Sequence, residues 1–160
     1  MKKLYLMRHA TSNWPEHIST DFERPLTKEG EDEAWLMADR FKAKNITIDL
    51  MLVSSAIRTQ ATSKFLCDVV DIKQSIVTKE IYETTHNYLL EMIQKTPDEI
   101  ESLLLVSHNP SISMLTTILL GTYVDLPPAV VVEIFFDVKS WKDIGRESIT
   151  HDSIEVPSMF

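Results

Sequence analysis

Three short apolar runs constrain this chain most, because each ends on polar residues that are costly to bury. Leu4-Tyr5-Leu6-Met7 stops at Arg8-His9. Met51-Leu52-Val53 runs into Ser54-Ser55-Ala56-Ile57-Arg58, and Leu103-Leu104-Leu105-Val106 runs into Ser107-His108-Asn109-Pro110. Short continuous apolar runs are the pattern of strands buried on both faces. The spacing predicts strands over Lys3–Met7, Asp49–Val53 and Ser102–Val106, each delivering a cationic or titratable side chain just past its carboxyl end.

Helical periodicity fills the intervals. Thr27 is placed to cap a helix running to about Lys44, with Ala34, Met37, Ala38 and Phe41 on one face. A second helix over Ala56–Val70 would turn Ile57, Ala61, Phe65 and Val69 inward, with Cys67 as a small core side chain. A third covers His86–Lys95, stopped by Pro97. A fourth opens at Pro110 and ends at Gly121. Further strands are expected at Ser75–Thr78 and Ala129–Phe136, the second so apolar that it must be paired or covered. The tail beyond Trp141 offers one edge strand near Ser148–His151. Alternating strands and helices at these spacings imply an α/β layered fold with a mostly parallel, buried sheet, and 160 residues suit a single domain over 1–160.

In such sheets ligands bind outside the carboxyl ends of the strands. That rule gathers His9, Arg58 and His108 from distant parts of the chain. Arginine presents a planar fork of donors that matches phosphate oxygens in pairs, so Arg8 and Arg58 would clamp a phosphoryl group. The turn His108-Asn109-Pro110 starts a helix, whose free N–H groups add positive potential there. A histidine between two arginines has its imidazolium disfavoured, and a neutral imidazole is a nucleophile. His9 is therefore the candidate nucleophile and His108 a donor to the transferring group. Glu83 is the candidate general acid, with Glu80 its neighbour in competition. Ser12 could bond phosphate or its own backbone. Arg24 could lend charge to the pocket, although anchoring its loop to Asp21 is the commoner role for such a pair.

Net charge is -8, which repels nucleic acid and anionic membranes and makes any anion site a local positive pocket. Cys67 is the one cysteine, so no intrachain disulfide can form and a reducing cytoplasm is the expected setting. No apolar stretch reaches membrane-spanning length, and the run behind Met1-Lys2-Lys3 is too short for the core of a signal peptide.

Four ordered segments carry a resemblance. Leu6-Met7-Arg8-His9-Ala10 resembles the Arg-His-Gly signature of the histidine phosphatase superfamily, with Ala10 where the glycine usually stands. Asp21-Phe22-Glu23-Arg24-Pro25-Leu26-Thr27-Lys28-Glu29-Gly30 resembles a segment of its small SixA-type phosphohistidine phosphatase branch. So do Ser54-Ser55-Ala56-Ile57-Arg58-Thr59-Gln60-Ala61-Thr62 and Val106-Ser107-His108-Asn109-Pro110. The resemblance implies a three-layer α/β/α sandwich of the phosphoglycerate-mutase-like type. It implies a phosphohistidine intermediate on His9 in a phosphate pocket completed by Arg8, Arg58 and His108, with no metal or organic cofactor; Ser12 and Asn109 are further candidate phosphate contacts by their positions beside those residues. Ile81-Tyr82-Glu83 is similar to the segment that carries the acid in mutases and broad phosphatases, without the glycine-rich continuation. Ala10 suggests that the backbone after His9 need not take a positive φ. Short loops leave no room for a large cap, so an open site would suit a phosphorylated protein side chain, or a small phosphoester, with inorganic phosphate as product. Other readings are a non-catalytic phosphate-binding module of the same fold, a small-molecule phosphatase or mutase, and a metal hydrolase liganded by His9 and His108, which the flanking arginines disfavour.

Overall fold

The computed structural model describes residues 1–157. The single-domain expectation also spans residues 158–160, which lie outside the described residues. The strands are β1 (Lys2–Arg8), β2 (Thr47–Ile48), β3 (Leu50–Ser54), β4 (Asp71–Ile72), β5 (Ser75–Thr78), β6 (Ser102–Ser107), β7 (Val131–Phe136) and β8 (Ile149–Glu155). The helices are α1 (Lys28–Ala43), α2 (Ile57–Val69), α3 (His86–Gln94) and α4 (Ser111–Leu120). Six strands form one sheet in the order β5-β3-β6-β1-β7-β8, while β2 and β4 form a separate pair. From β5 to β1 all neighbours are parallel; β7 and β8 run antiparallel to their neighbours.

Two apolar clusters sandwich the sheet. One joins Leu4, Leu6, Leu103 and Leu105 to Leu89 and Ile93 of α3 and to Ile112, Leu115 and Leu119 of α4. The other joins Tyr5, Met7, Met51 and Val53 to Ala34, Met37, Ala38 and Phe41 of α1 and Leu66 of α2. Alternate residues of β1 thus feed opposite cores, as a strand's period of two requires. The result is the three-layer α/β/α arrangement with its sheet covered on both faces. The apolar β7 run lies between β1 and β8, so it is paired on both sides.

The ends of α1 and α4 follow from their caps. Thr27 Oγ1 accepts from the Gly30 amide at 3.0 Å, which satisfies one of the free donors of the first turn. Gly121 closes α4 in the left-handed conformation at φ 77°, a position that favours glycine.

Two expectations are corrected. The fully buried face of α2 is Arg58, Thr59, Thr62, Ser63 and Leu66; of the expected stripe Ile57, Ala61, Phe65 and Val69, the side chains of Phe65 and Val69 pack half-buried against the core beside it and Ile57 does not. Ile57 is 42% exposed, and Cys67, one position past Leu66, is exposed rather than part of the core. The helix is rotated because its first turn must carry Arg58 under the end of β1, and its polar inner face satisfies itself locally. Thr59 Oγ1 donates to the carbonyl of Ser54 at 2.7 Å, and Thr62 Oγ1 to that of Arg58 at 2.8 Å. The C-terminal edge strand is also longer than expected, and Trp141 ahead of it is fully buried, its indole N–H donating to the Ile100 carbonyl at 2.7 Å. Among the described residues no helix is long and apolar enough to cross a membrane.

Candidate active site

Parallel register sets the site. Arg8 pairs with Ser107 across β1 and β6, so His9 and His108 both emerge one residue past level strand ends. Their rings lie 5.3 Å apart between centroids. From the other side Arg58, in the first turn of α2, donates from Nε to His9 Nε2 at 3.4 Å. His9 Nδ1–H donates to the Ala10 carbonyl at 2.7 Å. The two contacts fix the tautomer: Nδ1 keeps the proton, and Nε2 presents its lone pair toward the guanidinium. Ala10 in turn donates its amide to Thr62 Oγ1 at 3.0 Å, and it is not among the residues with positive φ.

The loop ahead of β7 backs the pair. The Ala129 amide donates to the carbonyls of both Arg8 and His9, at 3.2 and 3.0 Å. Ala129 holds this position at φ 64°, a left-handed backbone that costs a non-glycine residue about 1 kcal/mol. Arg8 Nη1 donates to the Leu126 carbonyl at 2.9 Å.

Burial and like charge act together on the two histidines. His9 is pushed down to about 4, chiefly by burial and then by Arg58, Arg8 and Arg24, partly offset by its bond to Ala10. His108 falls to about 3, again chiefly by burial, with His9 and the arginines adding to it and Asp21 opposing. Both rings are neutral at neutral pH. Arg8 is lowered by burial, with Asp125 opposing, yet a guanidinium stays charged there.

Among the described residues, four buried side-chain polar atoms have no hydrogen-bond partner: Arg8 Nε, Ser55 Oγ, Ser107 Oγ and His108 Nδ1. All belong to the carboxyl ends of β1, β3 and β6. Buried polar groups are normally satisfied, so their concentration at one edge of the sheet marks a place built to receive a polar ligand. Two belong to the cationic Arg8 and to a histidine ring, which suits an anion.

Residues 4–86 match the histidine phosphatase superfamily, branch 1. The chain belongs to this family. The match covers Arg8, His9, Asp21, Arg58 and Glu83. An uncharacterised protein of Mycobacterium tuberculosis is 31% identical over 113 residues, covering 71% of this chain and 69% of that protein. Phosphohistidine phosphatase SixA of Escherichia coli K12 is 28% identical over 116 residues, covering 71% of each chain. A solved structure of the protein histidine phosphatase SixA complexed with tungstate superposes with a TM-score of 0.83 at 23% identity, covering 97% of each chain; at that identity the likeness speaks for the fold. Membership in the histidine phosphatase superfamily makes this chain a phosphatase.

The remaining expected residues of this superfamily site are placed as follows. Ser12 Oγ accepts from Arg24 Nη2 at 2.9 Å, and Asn109 spends its amide N–H groups on Leu126 and Asp125 while its oxygen accepts from Ser113. In this structure both therefore serve the walls. Glu83 is exposed, with a left-handed backbone at φ 54°, and among the described residues no hydrogen bond or ion pair ties it to His9, Arg58 or His108. Sequence reasoning passed over three residues. Ser54 Oγ meets His108 Nε2 at 2.7 Å; it stands at the end of β3 as Ser107 stands at the end of β6, so the strand-end rule itself could have found it. Thr62 supports Ala10 from an apparently outward helical position. Asp21, taken only as an anchor for Arg24, holds Arg58 as well. Its Oδ2 accepts from Arg58 Nη2 at 3.0 Å and from the Tyr82 hydroxyl at 2.8 Å, and its Oδ1 accepts from Arg24 Nη1 at 2.9 Å.

Proposed function

We propose that this phosphatase hydrolyses phosphohistidine on a partner protein through a phosphohistidine intermediate on His9, with Arg8, Arg58 and His108 holding the phosphoryl group. The observation that carries this reading is the pinned tautomer: a neutral His9 with its Nδ1 proton on Ala10 and its Nε2 lone pair beside Arg58. In the first step that lone pair attacks phosphorus as the bond to the substrate nitrogen breaks. The electron pair of that bond returns to the substrate ring, which leaves neutral if its other nitrogen was protonated beforehand. In the second step water attacks phosphorus, the bond to Nε2 breaks, and dihydrogen phosphate leaves with both protons of the water. His9 retains its Nδ1 proton throughout, so the Ala10 carbonyl supports the positive ring of the intermediate. Arg8 and Arg58 offset the equatorial oxygens' charge, and catalysis is mainly positioning and charge stabilisation.

The choice of a P–N bond rests on protons. Tyr82 is raised to about 12, by burial and by its bond to Asp21, and its hydroxyl hydrogen is already engaged in donating to that carboxylate. Asp21 is held down to about 2 by Tyr82, Arg24 and Arg58 against the opposing effect of burial, so neither residue is ready to protonate an alkoxide. A protonated imidazole needs no such help. The single exposed cysteine accords with a cytoplasmic setting. A small phosphoester is the second reading, favoured by the left-handed backbone that Glu83 adopts next to Tyr82; Glu83→Gln would then abolish ester turnover and spare phosphohistidine. The direct test is to quench the reaction with labelled phosphohistidine peptide and look for acid-labile phosphate on the chain. Label should appear on the wild type and be absent from His9→Ala; a His9→Ala protein with full turnover would overturn the mechanism.

A further inference from the structure

We propose that Asp21 sets the charge selectivity of the pocket: its carboxylate turns away phosphoryl compounds whose leaving group carries a second anionic group, and tolerates those whose leaving group is an uncharged or N–H-bearing ring. This inference rests on the phosphate pocket proposed above and concerns which substrates it admits.

The placement of Asp21 is the starting point. Among the described residues it is the one carboxylate within ion-pair distance of Arg8, Arg24 or Arg58, reaching Arg24 at 2.9 Å and Arg58 at 3.0 Å. Its main-chain carbonyl also accepts from Arg58 Nη1 at 2.7 Å. Arg58 therefore touches His9 through Nε and Asp21 through both remaining nitrogens, which places the carboxylate one guanidinium away from the reacting atom. The Asp21 side chain is 34% exposed while that of Arg58 is 7% exposed, so Asp21 occupies the outer side of the arginine, where a leaving group would enter. Tyr82 fixes it there, edge-on to both Phe22 and the His108 ring at 5.1 and 5.7 Å.

The sign of the effect follows from charge. A phosphoryl group sits among Arg8, Arg58 and the histidines, while the rest of the substrate must pass Asp21. A leaving group with its own carboxylate brings two like charges together at the mouth. A ring N–H brings a donor instead, and Oδ1, engaged by Arg24 alone, keeps a lone pair for it. Asparagine at position 21 would still accept from Arg58 and Tyr82 through its one oxygen, with its NH2 turned toward Arg24, so Asp21→Asn removes the charge together with the bond to Arg24.

The experiment compares kcat/KM of the full chain for a phosphohistidine peptide and for 3-phosphoglycerate, whose leaving group carries a carboxylate. Asp21→Asn should raise the ratio for 3-phosphoglycerate over the peptide about fivefold, the scale expected for one charge at a few ångströms in a partly solvated site. Arg24→Gln removes a positive charge from the same place and should move the ratio the opposite way. Tyr82→Phe removes a hydrogen bond and no charge; it should slow both substrates and leave the ratio where it was, as a purely structural role for Asp21 would also do in Asp21→Asn. Calorimetric binding of 3-phosphoglycerate against inorganic phosphate reads the same selectivity without turnover. A wild type that binds phosphate and turns over no phosphohistidine refutes the substrate reading. An Asp21→Asn ratio that is unchanged or lower, in turnover or in binding, overturns the charge assignment itself.

Discussion

Helices α1 and α2 lie side by side against the same face of the sheet and bury opposite chemistries. The inner face of α1 is Ala34, Met37, Ala38 and Phe41; that of α2 is Arg58, Thr59, Thr62 and Ser63, with Leu66 its one fully buried large apolar side chain and Phe65 and Val69 half-buried beside it. The first helix is held by the area it removes from water, roughly 25 cal/mol for each Å² of apolar surface. The second is held at its start by hydrogen bonds to strand ends and to its own backbone, each contributing only about 1 kcal/mol net. What α2 lacks in apolar contact it returns as geometry, since Arg58 holds the His9 ring and Thr62 the Ala10 amide next to it. Stability and function are thus divided between neighbouring helices rather than between core and surface.

Four substitutions can break that division. Phe41→Ala should cost about 3–5 kcal/mol in chemical denaturation, as for other buried aromatics, while kcat of the folded fraction stays at the wild-type value. Phe41 is 3% exposed and packs its ring against Tyr5 at 5.6 Å, far in the chain from the site. Arg58→Lys should do the reverse, lowering kcat/KM about a hundredfold, because a point charge cannot replace a planar fork that touches His9 and Asp21 at once, while the denaturation midpoint barely moves. Thr62→Val should do both at smaller scale. It leaves the Ala10 amide without its acceptor, worth about 1–3 kcal/mol, and slows turnover by loosening the carbonyl that orients His9. Ile57→Gln should do neither, staying within about 0.5 kcal/mol of wild type, because its side chain faces solvent. A Phe41→Ala protein that loses kcat, or an Ile57→Gln protein that unfolds like a core variant, would show that the two helices do not divide the work.

The same pair explains what the sequence could disclose. The apolar stripe of α1 was legible because burial and periodicity agree there: Ala34, Met37, Ala38 and Phe41 are its buried apolar side chains. In α2 they disagree. Ile57, Ala61, Phe65 and Val69 form an equally good stripe, yet the helix turns Arg58 inward, because the hydrogen bonds at the site outweigh the transfer of a few half-buried apolar side chains. Cys67 went to solvent with that rotation. The convergence of His9, Arg58 and His108 was readable because it depends on a topological rule of parallel sheets, with no side-chain detail needed. The role of Asp21 was not, since its contacts to Arg58 and Tyr82 span 37 and 61 residues, and no local pattern encodes a distance of that kind. Ser12 and Asn109 show the converse: their chemistry suited phosphate, but Arg24 and the Leu126 loop reached them first.

The position of β1 has a consequence for timing. It is flanked by β6 on one side and β7 on the other, so its amides are paired along both edges, and they exchange with solvent only when the whole sheet opens. The rim that carries Asp21 and Arg24 hangs from a short 3-10 turn and a few side-chain bonds, the sort of segment that opens locally. His9, next along from the end of β1, therefore keeps the slow clock of the molecule, and Asp21 and Arg24 keep a fast one. In deuterium exchange the Tyr5–Met7 amides and the 13–24 amides would mark the two ends of that range.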